Sequence, residues 1–125
     1  MKILGIDYGE KRIGLAISDE TKTFARELVI LSPKEFWQQI KNLAQENQVT
    51  QIVIGWPLNM SGGETKKTEE VKNFKNKLES MLAIDVVTID ERLTSKMAES
   101  TSGQNKNLDS LAAQILLQNW LDRNS

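Results

Sequence analysis

The sequence predicts an α/β fold with a mixed five-stranded sheet, in which a three-stranded antiparallel meander is joined to two parallel strands and flanked by helices. Two observations support this prediction. Three short apolar or alternating runs, separated only by tight polar turns, fill the first 31 residues, which is typical of antiparallel strands. From residue 32 onward, apolar residues at helical spacing alternate with short apolar runs, which is typical of parallel strands joined by helical crossovers.

The meander is predicted from three runs and two turns. Residues 2–8 form the first strand, residues 12–18 return as its antiparallel partner, and residues 24–31 form the third strand. Residues 9–11 and 19–23 are polar and include the Gly and Asp residues that turns favour. Because such short turns connect only antiparallel neighbours, we expect the three strands to lie side by side.

The first helix has a clear start signal. Ser32 suits the N-cap position, Pro33 suits the first helical position, and Glu35 completes a capping box. The helical pattern continues to about Gln48. Its apolar stripe consists of Phe36, Trp37, Ile40, Leu43 and Ala44.

The remaining elements follow as strand, helix, strand and helix. They are predicted at residues 51–55, about 64–82, 84–89 and about 108–122, with loops at 56–63 and 101–107. The helical crossovers make these strands parallel to the first one, so the first, fourth and fifth strands should end at the same edge of the sheet. In open sheets of this kind, ligands bind beyond the carboxyl ends of the strands.

Three acidic residues fall at this predicted edge. Asp7 ends the first apolar run, Glu91 follows the fifth strand, and Asp109 opens the last helix in register with its apolar stripe. A buried acid is costly unless it is paired or binds a metal. Clustered carboxylates also repel one another, and a bound divalent cation would resolve that conflict. The spacing therefore predicts a divalent-metal site.

Each acid also has a plain structural interpretation. Asp7 could pair with Arg12 across the first hairpin, or accept hydrogen bonds within its turn. Asp109 could simply interact with the dipole of its own helix. Residues 90–92 could form a solvated turn with an internal ion pair. Adjacent side chains that follow the end of a strand point in different directions. Only one of the two acids in that turn, residues 90 and 91, can therefore easily join a cluster.

Composition narrows the chemistry. The chain has no histidine and no cysteine, which excludes thiolate zinc sites, His-based acid–base catalysis and a Ser-His-Asp triad. Any metal would therefore be a hard ion with oxygen ligands, such as Mg²⁺ or Mn²⁺. Lys plus Arg (16) nearly balances Asp plus Glu (17), so nucleic acid would be held weakly, by a local basic patch or by metal ions.

We expect one cytoplasmic domain spanning residues 1–125, because this length suits a single hydrophobic core. Asp7 interrupts the amino-terminal apolar run before the core of a signal peptide could form. No apolar run approaches the roughly 20 residues of a membrane span.

Four segments in this order resemble the YqgF family, the bacterial pre-16S rRNA nucleases formerly described as Holliday junction resolvase-like proteins. They are DYGEKRIGLAISD at residues 7–19, GWPLNMSG at 55–62, DERLTS at 90–95 and DSLAA at 109–113. The resemblance covers nearly the whole chain and implies an RNase H-like fold. It also implies a metal-dependent endonuclease that processes the 5′ end of precursor 16S rRNA in ribosome biogenesis.

The resemblance assigns roles by motif position. The family's catalytic and metal-binding acids correspond to Asp7, Glu91 and Asp109. The basic residues nearest to them in the motifs, and hence the candidate nucleic-acid contacts, are Arg12, Arg92 and Lys106. The implied cofactor is Mg²⁺ or Mn²⁺, and the implied partners are precursor rRNA or another structured nucleic acid, the ribosome or its small-subunit precursor, and no membrane. Five lysines between residues 66 and 77 interleave with glutamates and predict a solvated helix face.

Two other functions remain open at this point. The same chemistry would serve a Holliday junction resolvase acting on DNA, although such enzymes act as dimers with a paired basic surface that this near-neutral sequence does not indicate. A non-catalytic RNA-binding assembly factor could keep the fold, although the intact acids argue against it. An actin-like phosphotransferase is rejected, because it needs a second lobe and a second Asp-x-Gly motif that this chain lacks.

Overall fold

The structure is a computed structural model that describes residues 1–57, 61–90 and 108–124, with only the helical backbone described for residues 108–110. Within these residues, the elements in chain order are β1 (Lys2–Asp7), β2 (Ile13–Ser18), β3 (Ala25–Leu31), α1 (Pro33–Glu46), β4 (Val49–Trp56), α2 (Lys66–Met81), β5 (Asp85–Asp90) and α3 (Leu108–Arg123). None of the helices in this described part combines the length and hydropathy that a membrane span requires.

The five strands form one sheet in the order β3-β2-β1-β4-β5. β2 pairs antiparallel with both β1 and β3, whereas β4 pairs parallel with both β1 and β5. This confirms the predicted mixed sheet. Since β3 and β1 are both antiparallel to β2, they run in the same direction as β4 and β5, and all four strands end at one edge. We name it the carboxyl edge.

Both faces of the sheet are buried, and side chains along the central strands β1, β2 and β4 alternate between two hydrophobic clusters. The cluster on the α1/α2 face includes Leu4, Ile6, Ile54, Phe36, Val71 and Leu78. The cluster on the α3 face includes Ile3, Val53, Ile89, Ala113, Leu116 and Leu117. The two-sided burial explains why the central strands are almost continuously apolar.

α3 packs directly onto β1 at a glycine. A Cβ atom at Gly5 would lie 2.8 Å from the Leu117 Cβ and 3.2 Å from the Ala113 carbonyl oxygen. The first distance is shorter than two carbon atoms tolerate, so the helix can approach this closely only over glycine. Gly5 thereby fixes the position of α3 against the centre of the sheet.

Two glutamines of α3 fix its direction. The Gln118 side chain accepts a hydrogen bond from the Ala25 N–H at 2.8 Å and donates one to the Thr23 carbonyl at 2.9 Å. Gln114, one turn earlier in α3, donates to the Ala25 carbonyl at 3.2 Å. Thr23 thus contacts Gln118, whereas the carbonyl of Ala25, further along the chain, contacts Gln114, which is closer to the start of α3. The helix runs opposite to β3 and β1, and its first turn lies at the carboxyl edge.

The predicted start of α1 is confirmed, and its end differs by two residues. Ser32 Oγ accepts a hydrogen bond from the Glu35 N–H at 3.2 Å, and Glu35 Oε1 accepts one from the Ser32 N–H at 3.0 Å. The helix ends at Glu46 rather than near Gln48. Asn47 caps it, and Gln48 adopts a left-handed φ of 54°, which cannot continue a helix.

Other element boundaries also shift. α2 begins at Lys66 rather than near residue 64, because Thr65 forms a capping box with Thr68. β4 covers Val49–Trp56 rather than residues 51–55, because pairing with β1 and β5 continues at its two ends. The predicted loop at 101–107 lies outside the described residues.

Candidate active site

The carboxyl edge brings together the ends of β1, β4 and β5. β1 ends at Asp7, β4 at Trp56 and β5 at Asp90, and Trp56 is the register partner of Asp90. β4 lies between the other two strands. The backbones of Asp7 and Asp90 are therefore two strand spacings apart, which is roughly 10 Å.

Asp7 is half-buried and belongs to the α3 face, since it lies two residues after Gly5, over which α3 packs. Its partner across the β1–β2 hairpin is Gly14. On the other side of β1, Ile54 of β4 is the register partner of Ile6. The next residue of β4, Gly55, therefore lies beside Asp7. Neither neighbouring strand therefore covers this carboxylate with a side chain.

Asp90 belongs to the opposite face of the sheet. Ile89 packs in the α3-face cluster, whereas Val86 packs in the α1/α2-face cluster. Alternation along β5 puts Asp90 on the same side as Val86. Asp7 and Asp90 thus share an edge of the sheet but belong to opposite faces.

The backbone of Asp109 lies near the carboxyl edge. It is the second residue of α3 and precedes Ala113 by one helical turn. Ala113 packs over Gly5, and α3 runs opposite to β1, so the chain at Asp109 lies beyond that contact in the direction of Asp7. The side chain of Asp109 is outside the described part of the structure.

The other predicted site residues outside the described part are Glu91, Arg92 and Lys106. Arg12 is described and is exposed directly before β2. Its turn requires Gly9, because a Cβ there would lie 2.5 Å from the Arg12 carbonyl oxygen. Among the side chains that the structure describes, no group of three or more acids could hold a metal ion. Of the three predicted acids, only Asp7 has a described side chain.

An aromatic cluster that the sequence did not reveal lies next to Asp7 on the α1/α2 face. Tyr8 and Trp37 pack on Phe74, with ring centroids 4.7 and 5.2 Å from it. Nζ of Lys77 lies 4.2 Å above the Trp37 ring centroid. From the sequence, Trp37 belongs to the apolar stripe of the first helix, whereas Phe74 is an apolar residue within the second predicted helix. The one available signal was Tyr8, an aromatic residue directly after a predicted catalytic acid.

Comparison with known proteins identifies relatives across the whole chain. A family model described as "RuvX: Holliday junction resolvase" matches residues 1–123. A protein of Maridesulfovibrio salexigens is 37% identical over 98% of this chain and 99% of its own length. A protein of Syntrophus aciditrophicus is 42% identical over 98% of this chain and 89% of its own length. Both carry the name "Putative pre-16S rRNA nuclease".

Solved structures of a bacterial RuvC and of a fowlpox virus Holliday junction resolvase share the fold. Thermus thermophilus RuvC matches with a TM-score of 0.59 and 12% identity, over 99% of this chain and 96% of RuvC. The fowlpox virus resolvase, bound to Holliday junction DNA, matches with a TM-score of 0.57 and 13% identity over 99% of each chain. These likenesses confirm the predicted RNase H-like fold. On its sequence match over residues 1–123 and its named relatives, the chain belongs to the RuvX (YqgF) family of nucleases.

Proposed function

We propose that this chain is a divalent-metal-dependent endonuclease that processes the 5′ end of precursor 16S rRNA. The observation that carries the proposal is the position of Asp7, a half-buried carboxylate flanked by Gly14 and Gly55 on the face that α3 covers. The names of the relatives, pre-16S rRNA nucleases, support RNA as the substrate. Its place of action would then be the cytoplasm, on the precursor of the small ribosomal subunit.

The available donor atoms fit a hard divalent cation. The chain offers no imidazole and no thiolate, and carboxylate oxygens are the ligands that Mg²⁺ and Mn²⁺ prefer. In this proposal, Asp7, Glu91 and Asp109 hold the ion. When bound, such an ion lowers the pKa of water and stabilises the charge that develops on the leaving oxygen.

Strand alternation supports Glu91 over Asp90 as the second acid. Asp90 belongs to the α1/α2 face, opposite to Asp7. Glu91 is therefore the acid at the end of β5 that we assign to the site.

Basic residues near these acids would hold the substrate. Arg12 is exposed in the turn that follows β1, next to the carboxyl edge, where its guanidinium can bind a phosphate through two parallel hydrogen bonds. Arg92 and Lys106 are close in sequence to Glu91 and Asp109, and we assign them the same role. Phosphate contacts of this kind fix the position of a strand without reading its sequence.

A second candidate substrate is a four-way DNA junction. It is favoured by the description of the matching family, Holliday junction resolvase. Binding to duplex DNA depends on neutralising many phosphates with Lys and Arg. Here Lys plus Arg number 16 against 17 Asp plus Glu, so the chain has no excess of positive charge for that purpose. We rank RNA first because the named relatives are pre-16S rRNA nucleases.

The test is a cleavage assay that offers both substrates to the same protein preparation. With Mn²⁺ present, one reaction contains a precursor 16S rRNA fragment that keeps its 5′ extension, and the other contains a four-way DNA junction. We expect an internal cut that removes the extension, slow or absent cutting of the junction, and no cutting in EDTA. Faster cutting of the junction, or cutting in EDTA, would overturn the proposal.

A further inference from the structure

A groove on the α1/α2 side of the carboxyl edge has an aromatic half and a basic half. The aromatic half is a cavity of about 310 Å³ whose lining includes Tyr8, Trp37, Phe74, Lys77 and Glu70. The basic half is a cavity of about 490 Å³ lined by Gly9, Glu10, Lys11, Lys66, Lys67 and Glu70. Glu70 belongs to both linings, and Tyr8 and Gly9 are consecutive, so the two halves are adjacent. We name it the edge groove.

The edge groove begins beside the candidate active site. Tyr8 directly follows Asp7, the last residue of β1. α1 and α2 both start at the carboxyl edge, because they follow the ends of β3 and β4. A nucleic-acid strand bound in the groove could therefore continue over the edge toward Asp7.

The aromatic half suits unpaired bases. Tyr8 and Trp37 are half-exposed, and both rings pack on the buried ring of Phe74, which supports them from the protein side. Aromatic rings held in this way are platforms for nucleobase stacking, which is largely independent of base sequence. In a duplex the bases are already stacked on one another, so an aromatic groove favours a single strand.

The basic half suits phosphates. Lys11, Lys66 and Lys67 are exposed and come from the β1–β2 turn and the start of α2, yet they line one cavity. In the described part of the chain, the ion pairs on α2 are Lys72–Glu64 at 3.9 Å and Lys75–Glu79 at 2.8 Å, and neither uses a lysine of the groove. Across both halves, four lysines face two glutamates, although the chain as a whole has a net charge of −1.

We propose that the edge groove binds the single-stranded RNA segment that leads to the cut site. Bases stack against Tyr8 and, once Lys77 moves away from its ring, against Trp37, while phosphates contact Lys11, Lys66 and Lys67. The proposal rests on the proposed function, since it takes precursor RNA as the substrate. It also supplies phosphate contacts in a chain whose segment before Asp109, residues 100–107, contains one basic residue.

The test measures binding in the Asp7→Asn background, so that it does not depend on cleavage. Fluorescence anisotropy compares an RNA hairpin that has a single-stranded 5′ extension with the same hairpin lacking it. We expect the triple variant Lys11→Gln, Lys66→Gln, Lys67→Gln to bind the extended hairpin about tenfold more weakly and to lower the slope of log affinity against log salt by about 2. Its affinity for the hairpin without the extension should change little.

A matched control carries the same change in charge elsewhere. Arg26→Gln, Lys41→Gln and Arg123→Gln together alter three exposed cations outside the edge groove, and this variant should keep the preference for the extension. Trp37→Leu, or Tyr8→Leu should that variant not fold, should weaken binding of the extension about fivefold without changing the salt slope, because stacking is uncharged. Thermal unfolding verifies that each variant is folded.

Equal losses in the two triple variants, or no loss in the groove variant, would overturn the edge groove as an RNA site. Tighter binding of a DNA extension than of an RNA extension of the same sequence would also overturn it. If the binding differences are as expected but the wild-type protein does not cleave RNA, the groove is supported and only the nuclease proposal is refuted. The two proposals therefore fail through different measurements.

Discussion

At the scale of single residues, Asp7 differs from other strand acids in having glycine on both neighbouring strands. Asp85, at the opposite end of β5, provides the contrast. It is exposed, and its Oδ2 accepts a hydrogen bond from Gln51 Nε2 at 3.0 Å. The sequence alone identified Asp7 as an acid at a strand end, because the apolar run before it is unambiguous. The packing of Val86 and Ile89 adds that Asp90, the last residue of β5, belongs to the opposite face from Asp7.

Neutralising Glu91 and neutralising Asp90 should therefore have very different effects on the rate of cleavage. Glu91→Gln is expected to lower Mn²⁺-dependent cleavage by about 100-fold or more, as removal of a group that stabilises the transition state does. Asp90→Asn, which belongs to the other face, should keep cleavage close to that of the wild type. Initial rates on the precursor fragment measure both. The reverse order of the two variants would contradict the assignment.

The ionisation of Tyr8 reports on the environment of the edge groove, because Tyr8 is the only tyrosine in the chain. Burial raises the pKa of its phenol, and the negative charges of Glu70 and Glu10 raise it further. A titration of tyrosinate absorbance should therefore have its midpoint above 10 in the folded protein and near 10 in urea. Glu70→Gln should lower the folded midpoint. A folded midpoint at or below the unfolded one would rule out this environment.

The sign of the linked stability change follows from that shift. The folded protein keeps the phenolic proton to a higher pH than the unfolded chain does. The free energy of unfolding should thus be unaffected by this group below pH 10 and should fall as the pH rises from about 10 through the folded pKa. Tyr8→Phe removes this part of the pH dependence and serves as the control.

At the scale of elements, capping signals decided how well helix starts could be predicted. Ser32 and Glu35 form the usual capping box, with Pro33 at the first helical position, and the predicted start of α1 is confirmed. In α2 the third helical position is Thr68 rather than Glu or Gln, so the same motif was not recognised at Thr65. Thr68 is buried, and its hydroxyl also donates to the Pro57 carbonyl, a long-range contact that no local pattern reveals.

The attachment of α3 depends on Gln118, which satisfies both the Ala25 N–H and the Thr23 carbonyl. Gln118→Ala should lower the free energy of unfolding by about 1–3 kcal/mol, because it leaves the N–H of a buried residue without its partner. Urea denaturation measures the change. Gln39→Ala, at an exposed position of α1, is the matched control and should change stability little. Equal effects of both substitutions would contradict this role of Gln118.

At the scale of the whole molecule, the order of elements was sufficient to predict the topology and the shared edge. The direction of each strand after β1 follows from whether a turn or a helix precedes it. The edge groove could not be predicted in the same way, because Tyr8, Trp37 and Phe74 belong to β1's end, α1 and α2 and meet only through packing. Asp7 and Tyr8 are consecutive and belong to opposite faces, so β1 joins the proposed metal site to the proposed RNA site.

The central claim is that a carboxylate-held divalent metal at the α3 face cleaves RNA, and Asp7 tests it most directly. Mn²⁺-dependent cleavage of the precursor 16S rRNA fragment should be compared between the wild type, Asp7→Asn and Asp85→Asn. Asp85→Asn makes the same chemical change on an exposed acid at the far edge of the sheet. We predict that Asp7→Asn loses about 100-fold or more of the cleavage rate while Asp85→Asn retains it. Unchanged cleavage in folded Asp7→Asn would contradict the metal-nuclease mechanism.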